Sequence, residues 1–312
     1  MDYRATIARA LLETDRLTPT ISVVTATYNR AHLLGRLYAS LCEQTLRDFE
    51  WLVVDDGSTD DTAQVLATWQ HEGKIAIRSI VQPNRGKHVA LNRAAESAAG
   101  AFCAVIDSDD WYRPEALERL VYHWHTIPSH QAPDFANVEA LRAYADGRLI
   151  GSRFPRDVLD SDTFEVRYVH RVTGDTLGMY RTDVLRRFPF PEDLGRFVPE
   201  GLVWSRIASR YRTRFVNEVL GYVEYQPGGL SDARLAQQVS SARAWALFYG
   251  ELASTPRVLP RRLRWRASAQ HVRFTLHARS MVSTPSLRPL WLLGAPIGVA
   301  LYLRDLRDLA RT

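Results

Sequence analysis

Between residues 20 and 125, short β-rich runs and amphipathic helical patterns alternate four times, and few architectures accept that rhythm. Ile21–Thr25 precedes a helical pattern after Asn29 in which Leu33, Leu34, Leu37 and Leu41 recur at one-face spacing. Trp51–Val54 precedes a helix that Asp60 or Asp61 can cap, with Val65, Leu66 and Trp69 on its inner side. Ile75–Val81 leads to a helix over 87–99. Phe102–Ile106 leads to one opening at Pro114, a residue suited to a first helical position, with Leu117, Leu120 and Val121 inside. Strands separated by such helices pair in parallel through right-handed βαβ crossovers, with helices on both faces. The chain is therefore predicted to be α/β, with a mostly parallel, Rossmann-like sheet. Ligands of such sheets bind beyond the carboxyl ends of the strands.

Three polar clusters fall just past strand ends: Thr25–Tyr28, Asp55–Ser58 and Asp107–Asp110. The last places Asp107, Asp109 and Asp110 together, where they repel and raise one another's pKa unless a cation or a set of donors holds them ionised. A site for Mg²⁺ or Mn²⁺, completed by phosphate oxygens and water, meets that need. An acidic turn capping the helix at Pro114 is the other reading.

After residue 130 the pattern loosens. Phe135–Leu141 and Leu149–Phe154 alternate as extra strands or a flap would, and Thr173–Asp175 with Gly178 reads as a bend near the crevice. Glu200 opens a helical stretch with Leu202, Val203, Ile207 and Ala208 on one side, and Thr213–Tyr225 reads as a closing strand. With 312 residues and 46% hydrophobic content, the chain has material for one large α/β domain with extensions. Cys42 and Cys103 sit among apolar residues and read as core side chains in a reducing compartment. The first residues lack the continuous apolar run of a signal peptide, and Ile7, Ala10, Leu11 and Leu17 suggest a short amphipathic helix. A cytoplasmic protein is expected.

The net charge of +5 is uneven: residues 257–311 hold eleven arginines against Asp305 and Asp308, an excess of nine, leaving −4 for the remainder. Such asymmetry calls for a polyanionic neighbour. The apolar stretch 290–303, with Pro296 inside and Trp291 and Tyr302 near its ends, is short of the roughly twenty residues a spanning helix needs. It reads as a peripheral contact with an anionic membrane at the inner face, or as a helical pair docked on the rest of the chain or on a second subunit in a homo-oligomer.

The segments Ser22–Arg30, Val53–Thr62, Asn84–Asn92 and Asp107–Asp110, in that order and at these separations, resemble the family 2 glycosyltransferases. The resemblance extends more loosely through Pro199–Trp204. It implies the GT-A fold, with a helical C-terminal extension beyond it, and transfer of a sugar from a nucleoside diphosphate donor, UDP favoured, to an acceptor hydroxyl, with inversion. A lipid-linked or cell-envelope acceptor would suit the basic tail. On that reading Asp109 and Asp110 hold the divalent ion and Asp107 serves the ribose side. Asp56 accepts from the uracil imide, Tyr28 stacks on the base, the Thr25 and Ala26 backbone lines the pocket, and Lys87 and Arg85 reach the phosphates. Glu200 takes the acceptor's proton, and Asp175 and Trp204 fall in the acceptor region. Many relatives carry Glu-Asp here; Pro199 takes the first position and Glu200 aligns with the Asp, so its carboxylate arrives on an arm longer by one methylene. The glutamine of the Gln-x-x-Arg-Trp motif of processive members is missing before Arg264-Trp265, which favours addition of one sugar.

The implied division is a helical lead-in at 1–19, a nucleotide-sugar half at 20–125, an acceptor and catalytic-base half at 126–230 and a basic helical extension at 231–312. A sugar nucleotidyltransferase would show a glycine-rich loop after the first strand, and Thr25–Arg30 has no glycine. An Asp-x-Asp phosphatase would carry its motif after a first strand rather than a fourth. A non-catalytic protein binding a nucleotide sugar or another polyanion remains a third class, although no aromatic-basic interleaving points to nucleic acid.

Overall fold

The computed structural model describes residues 18–224, 234–255, 257, 259–279 and 288–310, with the side chains of 234 and 288–293 left out. The expected N-terminal helix and Trp291 lie outside what is described. The chain forms two compact units: one takes the chain up to Pro189 together with Arg210–Glu224, the other Phe190–Ser209 and the chain from Tyr225 onward. This division separates residues that the sequence grouped at 126–230.

In the first unit, the opening half follows the alternation. It runs β1 (Ile21–Thr27), α1 (Ala31–Cys42), β2 (Phe49–Asp55), α2 (Thr62–Glu72), β3 (Ala76–Val81), α3 (Lys87–Ser97) and β4 (Phe102–Val105). Strands β1, β2, β3 and β4 pair in parallel in the spatial order β3-β2-β1-β4. Leu34, Leu37 and Leu41 of α1 are fully buried with Ile21, Val23 and Trp51. Tyr38 stacks on Trp69 of α2 with ring centroids 4.3 Å apart. Asp61 is the N-cap of α2 but makes no side-chain cap bond; Asp60 supplies it, one oxygen accepting from the Thr62 amide (3.1 Å) and the other from the Ala31 amide (3.0 Å), so one carboxylate closes the N-termini of both α1 and α2.

The rest of the first unit comprises β5 (Trp111–Tyr112) and α4 (Ala116–His125), then from the loosely patterned region β6 (Phe135–Tyr144), β7 (Val158–Ser161), β8 (Thr176–Arg181), α5 (Thr182–Arg187) and, after the second unit's insertion, β9 (Arg212–Val223). Among the described residues the sheet has nine strands, in the order β3-β2-β1-β4-β8-β6-β9-β5, with β7 also on β9. Here pairing turns antiparallel at β4–β8 and β8–β6 and parallel again at β6–β9. Two expectations are corrected. Pro114 lies outside α4, whose N-cap is Glu115. Leu149–Phe154 forms no strand beyond a single bridge of Leu149 to Ala143, because Phe154 turns into a small core with Leu141, Val166, Val172 and Phe215.

The second unit contains α6 (Gly201–Ala208), α7 (Arg234–Ser240), α8 (Ala242–Ser254), α9 (Arg261–Ala278) and α10 (Arg288–Leu309). Arg206 of α6 grips Glu251 of α8 through two hydrogen bonds of 2.9 and 2.7 Å. Trp245 of α8 stacks on Phe274 of α9. Helix α10 lies against α9 through glycine: a Cβ at Gly298 would sit 2.6 Å from the Ala269 carbonyl and from Val272 Cβ, and one at Gly294 2.7 Å from Ser268 Oγ. Among the described residues no helix is long and apolar enough to cross a membrane.

Candidate functional site

The loops after β1, β2 and β4 leave the same edge of the sheet, because these strands are parallel neighbours. The first two are joined directly. The Asn29 amide donates to Ser58 Oγ (2.8 Å), and Asn29 Oδ1 accepts from the Thr59 amide (2.7 Å). Asn29 itself adopts a left-handed φ of 52°, which asparagine tolerates better than most residues. Asp55 Oδ1 accepts from the Ser58 amide at 2.8 Å and closes the second turn.

Asp56 is buried. Its oxygens accept from Gln82 Nε2 (2.8 Å) and from the amides of Arg85 (2.9 Å) and Gly86 (2.7 Å). These bonds tie Asp56, the residue expected to meet the base, to the loop that delivers Lys87. Gly86 caps α3 at φ 103°, a conformation that side chains resist, and Lys87 opens the helix.

The Asp107–Asp110 cluster meets the need for counter-charge with protein cations, a different one for each carboxylate. Lys87 Nζ lies 2.5 Å from Asp107 Oδ1, and Arg30 Nη1 donates to Asp109 Oδ2 at 2.8 Å. Arg142 Nη1, from β6, donates to Asp110 Oδ2 at 2.5 Å and lies 3.2 Å from Asp175 Oδ2. Exposure separates the carboxylates: the Asp107 and Asp109 side chains are 43% and 21% exposed, that of Asp110 only 9%. Burial, and then the negative charges of Asp107, Asp109 and Asp175, push the Asp110 carboxyl up to about 7 in spite of Arg142. At Asp107 the penalty of burial is outweighed by Lys87, then Arg142 and Arg30, and its carboxyl is held below the ordinary value.

The expected ligand pair Asp109 and Asp110 is thus divided. Asp109 reaches solvent, whereas Asp110 is enclosed and committed to Arg142. Among the described residues no group of three or more His, Cys, Asp or Glu is arranged to hold a metal ion. Two accessible carboxylates, Asp107 and Asp109, still match what Mg²⁺ or Mn²⁺ asks of a protein when phosphate oxygens and water fill the remaining positions.

Of the other expected residues, Tyr28 is 46% exposed and stands just past the end of β1. Thr25 is fully buried and its hydroxyl accepts from Trp51 Nε1 (3.1 Å), so its side chain belongs to the sheet; Ala26 is half-buried. Asp175, 72% exposed, precedes β8. Glu200 and Trp204 belong to the second unit. Glu200 is the N-cap of α6, its carbonyl accepting from Val203 and Trp204, and the Trp204 ring stands edge-on to Phe190. Sequence reasoning assigned no role to Arg30 or Arg142. Arg30 stood inside a quoted motif, but Arg142 lies in β6, where no local pattern marked it.

The model of the family described as Glycosyl transferase family 2 matches residues 22–186, just over half of the chain. The chain belongs to that family. An uncharacterized glycosyltransferase of Nostoc sp. is 38% identical over 106 residues, covering 34% of this chain and 33% of that protein. Validoxylamine A glucosyltransferase of Streptomyces hygroscopicus is 37% identical over 124 residues, covering 38% of this chain and 28% of that protein. The chain thus spans a third or less of the length of these family 2 relatives. In three dimensions it is similar to S. aureus TarS in complex with UDP-GlcNAc, with a TM-score of 0.61 at 21% identity over 88% of this chain and 79% of that one. The mannosyltransferase PcManGT of Pyrobaculum calidifontis, in complex with GDP-Man and Mn²⁺, gives a TM-score of 0.57 at 20% identity over 98% and 94%. At such identities the likeness is one of fold, the GT-A glycosyltransferase fold.

Proposed function

We propose that this family 2 protein moves one sugar from a nucleoside diphosphate sugar to an acceptor hydroxyl, with UDP the favoured nucleotide and inversion at the anomeric carbon. The observation that carries the reading is the joining of three loops at one sheet edge, with the open carboxylates Asp107 and Asp109 next to Lys87 and Arg30. A diphosphate needs that combination. Lys87 and the first amides of α3 favour an anion, and Asp109 with Asp107 would hold a divalent ion, which when bound neutralises charge on the departing diphosphate. Arg30 and Lys87 would then exchange carboxylate partners for phosphate oxygens. The exposed Tyr28 ring supplies a stacking face for the base. Nucleotide sugars in complex with TarS and PcManGT support the donor class. Asp175 falls to the acceptor side, Trp204 to an acceptor wall, and Glu200 to the acceptor's proton.

Calorimetric titration of the chain with UDP, GDP and their sugars, with and without Mn²⁺ or Mg²⁺, tests this. Binding of at least one donor should tighten with the ion, and Asp109→Asn should remove the tightening while weaker metal-free binding remains. If no nucleoside diphosphate or sugar derivative binds under either condition, the reading fails.

A further inference from the structure

The packing of α10 on α9 determines which side of α10 is left outward. Gly294 and Gly298 bring the helices together, and the Tyr302 ring sits edge-on to His277 at 4.7 Å. Asp305, 1% exposed, takes hydrogen bonds from Arg273 Nε (2.5 Å) and Nη2 (2.8 Å) and lies 2.9 Å from His277 Nε2. One flank of the outward side carries Val299, Leu303 and Leu306, 41%, 49% and 44% exposed. Their steps of four and three residues place them in one line along the helix. Arg307, one turn on from Leu303, borders that line, and Arg304 lies further round the same outward side, both exposed. The first turns of α9 have the same character, with Trp265 exposed among the exposed Arg261, Arg262 and Arg266.

We infer that the outward face of α10 is a docking surface for an anionic lipid bilayer. Charge decides the occupant. Of the two acidic residues in 257–311, Asp305 is buried and neutralised inside the helix pair, so the arginine excess of this stretch is opposed at the surface by Asp308 alone. A second copy docking on the same face would bring Arg304 and Arg307 against their own counterparts, and like-charge juxtaposition disfavours it. Phosphate headgroups pair with these arginines while Val299, Leu303 and Leu306 enter the boundary with the acyl chains, as an interfacial helix does. The helix lies on the bilayer; among the described residues no helix is long and apolar enough to cross one. The inference stands apart from the proposed transfer, because none of the donor-loop residues enters it.

Co-sedimentation of the full chain with vesicles tests it without any assay of activity. The protein should pellet with phosphatidylcholine mixed with phosphatidylglycerol, stay in solution with phosphatidylcholine alone, and be released by salt. Leu303→Glu and Leu306→Glu should each abolish binding, and Arg304→Gln or Arg307→Gln should weaken it about fivefold. These side chains point outward, so circular dichroism and the melting temperature should match the parent. Equal binding to neutral vesicles, or undiminished binding by Leu303→Glu, overturns the inference. So does an absence of vesicle binding, including one accompanied by a concentration-dependent dimer that Leu303→Glu disperses, which would make the face a protein interface.

Discussion

Arg142 holds two carboxylates from separate loops with one guanidinium nitrogen, and its own side chain is 9% exposed. Proximity of Asp110 and Asp175 raises its pKa further against the burial that lowers it, so the cation is permanent. Asp110 is the member that titrates. Its folded value near 7 lies above the roughly 3.9 of a free aspartate. Between those values the folded chain keeps a proton that the unfolded chain has released, so the contribution of this group is full below about pH 4 and declines as pH rises through 7. Arg142→Met should extend that decline to higher pH, because loss of the cation raises the folded value further. At pH 8 it leaves a buried carboxylate without its partner, a loss of about 3–5 kcal/mol, whereas at pH 5 Asp110 is protonated and the loss should be clearly smaller. Urea denaturation of both proteins at the two pH values checks this, and a pH-independent difference would show that Arg142 acts through packing alone. The concentration of charge at Asp107–Asp110 was legible in the sequence. Which cation meets each carboxylate was not, since Arg142 arrives from a strand more than thirty residues away.

At the scale of elements, the alternation over 20–125 gave β1 to β4 to within about two residues at each end, because β1 and β2 are buried along their length and the helices show one apolar face, while the edge strand β3, largely exposed, was still marked by its β-rich run. The region after 130 resisted reading for a topological reason. Strand β6 pairs with β8 on one side and β9 on the other, so its partners come from distant sequence and leave no local period. Strand β9 also bulges. Val216 and Val219 face the consecutive Ala140 and Leu141, and the extra residues Asn217 and Glu218 turn out of the ladder. Asn217 holds the backbone of Phe154 and Arg156, and Glu218 meets Arg119 (2.6 and 2.8 Å) and His123 (2.6 Å) on α4. Burial works against ionisation of Glu218, but Arg119 and His123 prevail and hold its carboxyl at about 2. A depressed value stabilises the fold above the ordinary carboxylate range and loses that contribution as pH falls toward 2. Glu218→Gln should therefore lower stability by about 2 kcal/mol at neutral pH, with the gap to the parent closing as pH is lowered from 4.5. A gap unchanged across that window would mean that the bulge, not the ion pair, ties β9 to α4.

At the scale of the molecule, the residues proposed to hold the donor belong to the first unit, whereas Glu200 opens α6 in the second. The sequence grouped Glu200 with 126–230 because the stretch is continuous there. The break at Phe190–Ser209 was not legible, since what assigns this segment to the C-terminal helices is the pairing of Arg206 with Glu251, 45 residues on. The separation makes the base assignment testable by a dissociation of two readouts. Glu200→Gln removes the proposed proton acceptor while keeping the N-cap backbone, so nucleotide affinity by calorimetry should stay within about twofold of the parent. Transfer to the acceptor should fall by about 10²–10⁴, the range of general-base contributions. Glu200→Asp, which restores a carboxylate on a shorter arm, should recover part of the rate with the pH profile of a carboxylate base. Parallel loss of nucleotide binding and transfer in Glu200→Gln, with no recovery in Glu200→Asp, would instead make Glu200 a residue that holds α6, and the base would have to be sought among other carboxylates, Asp175 first.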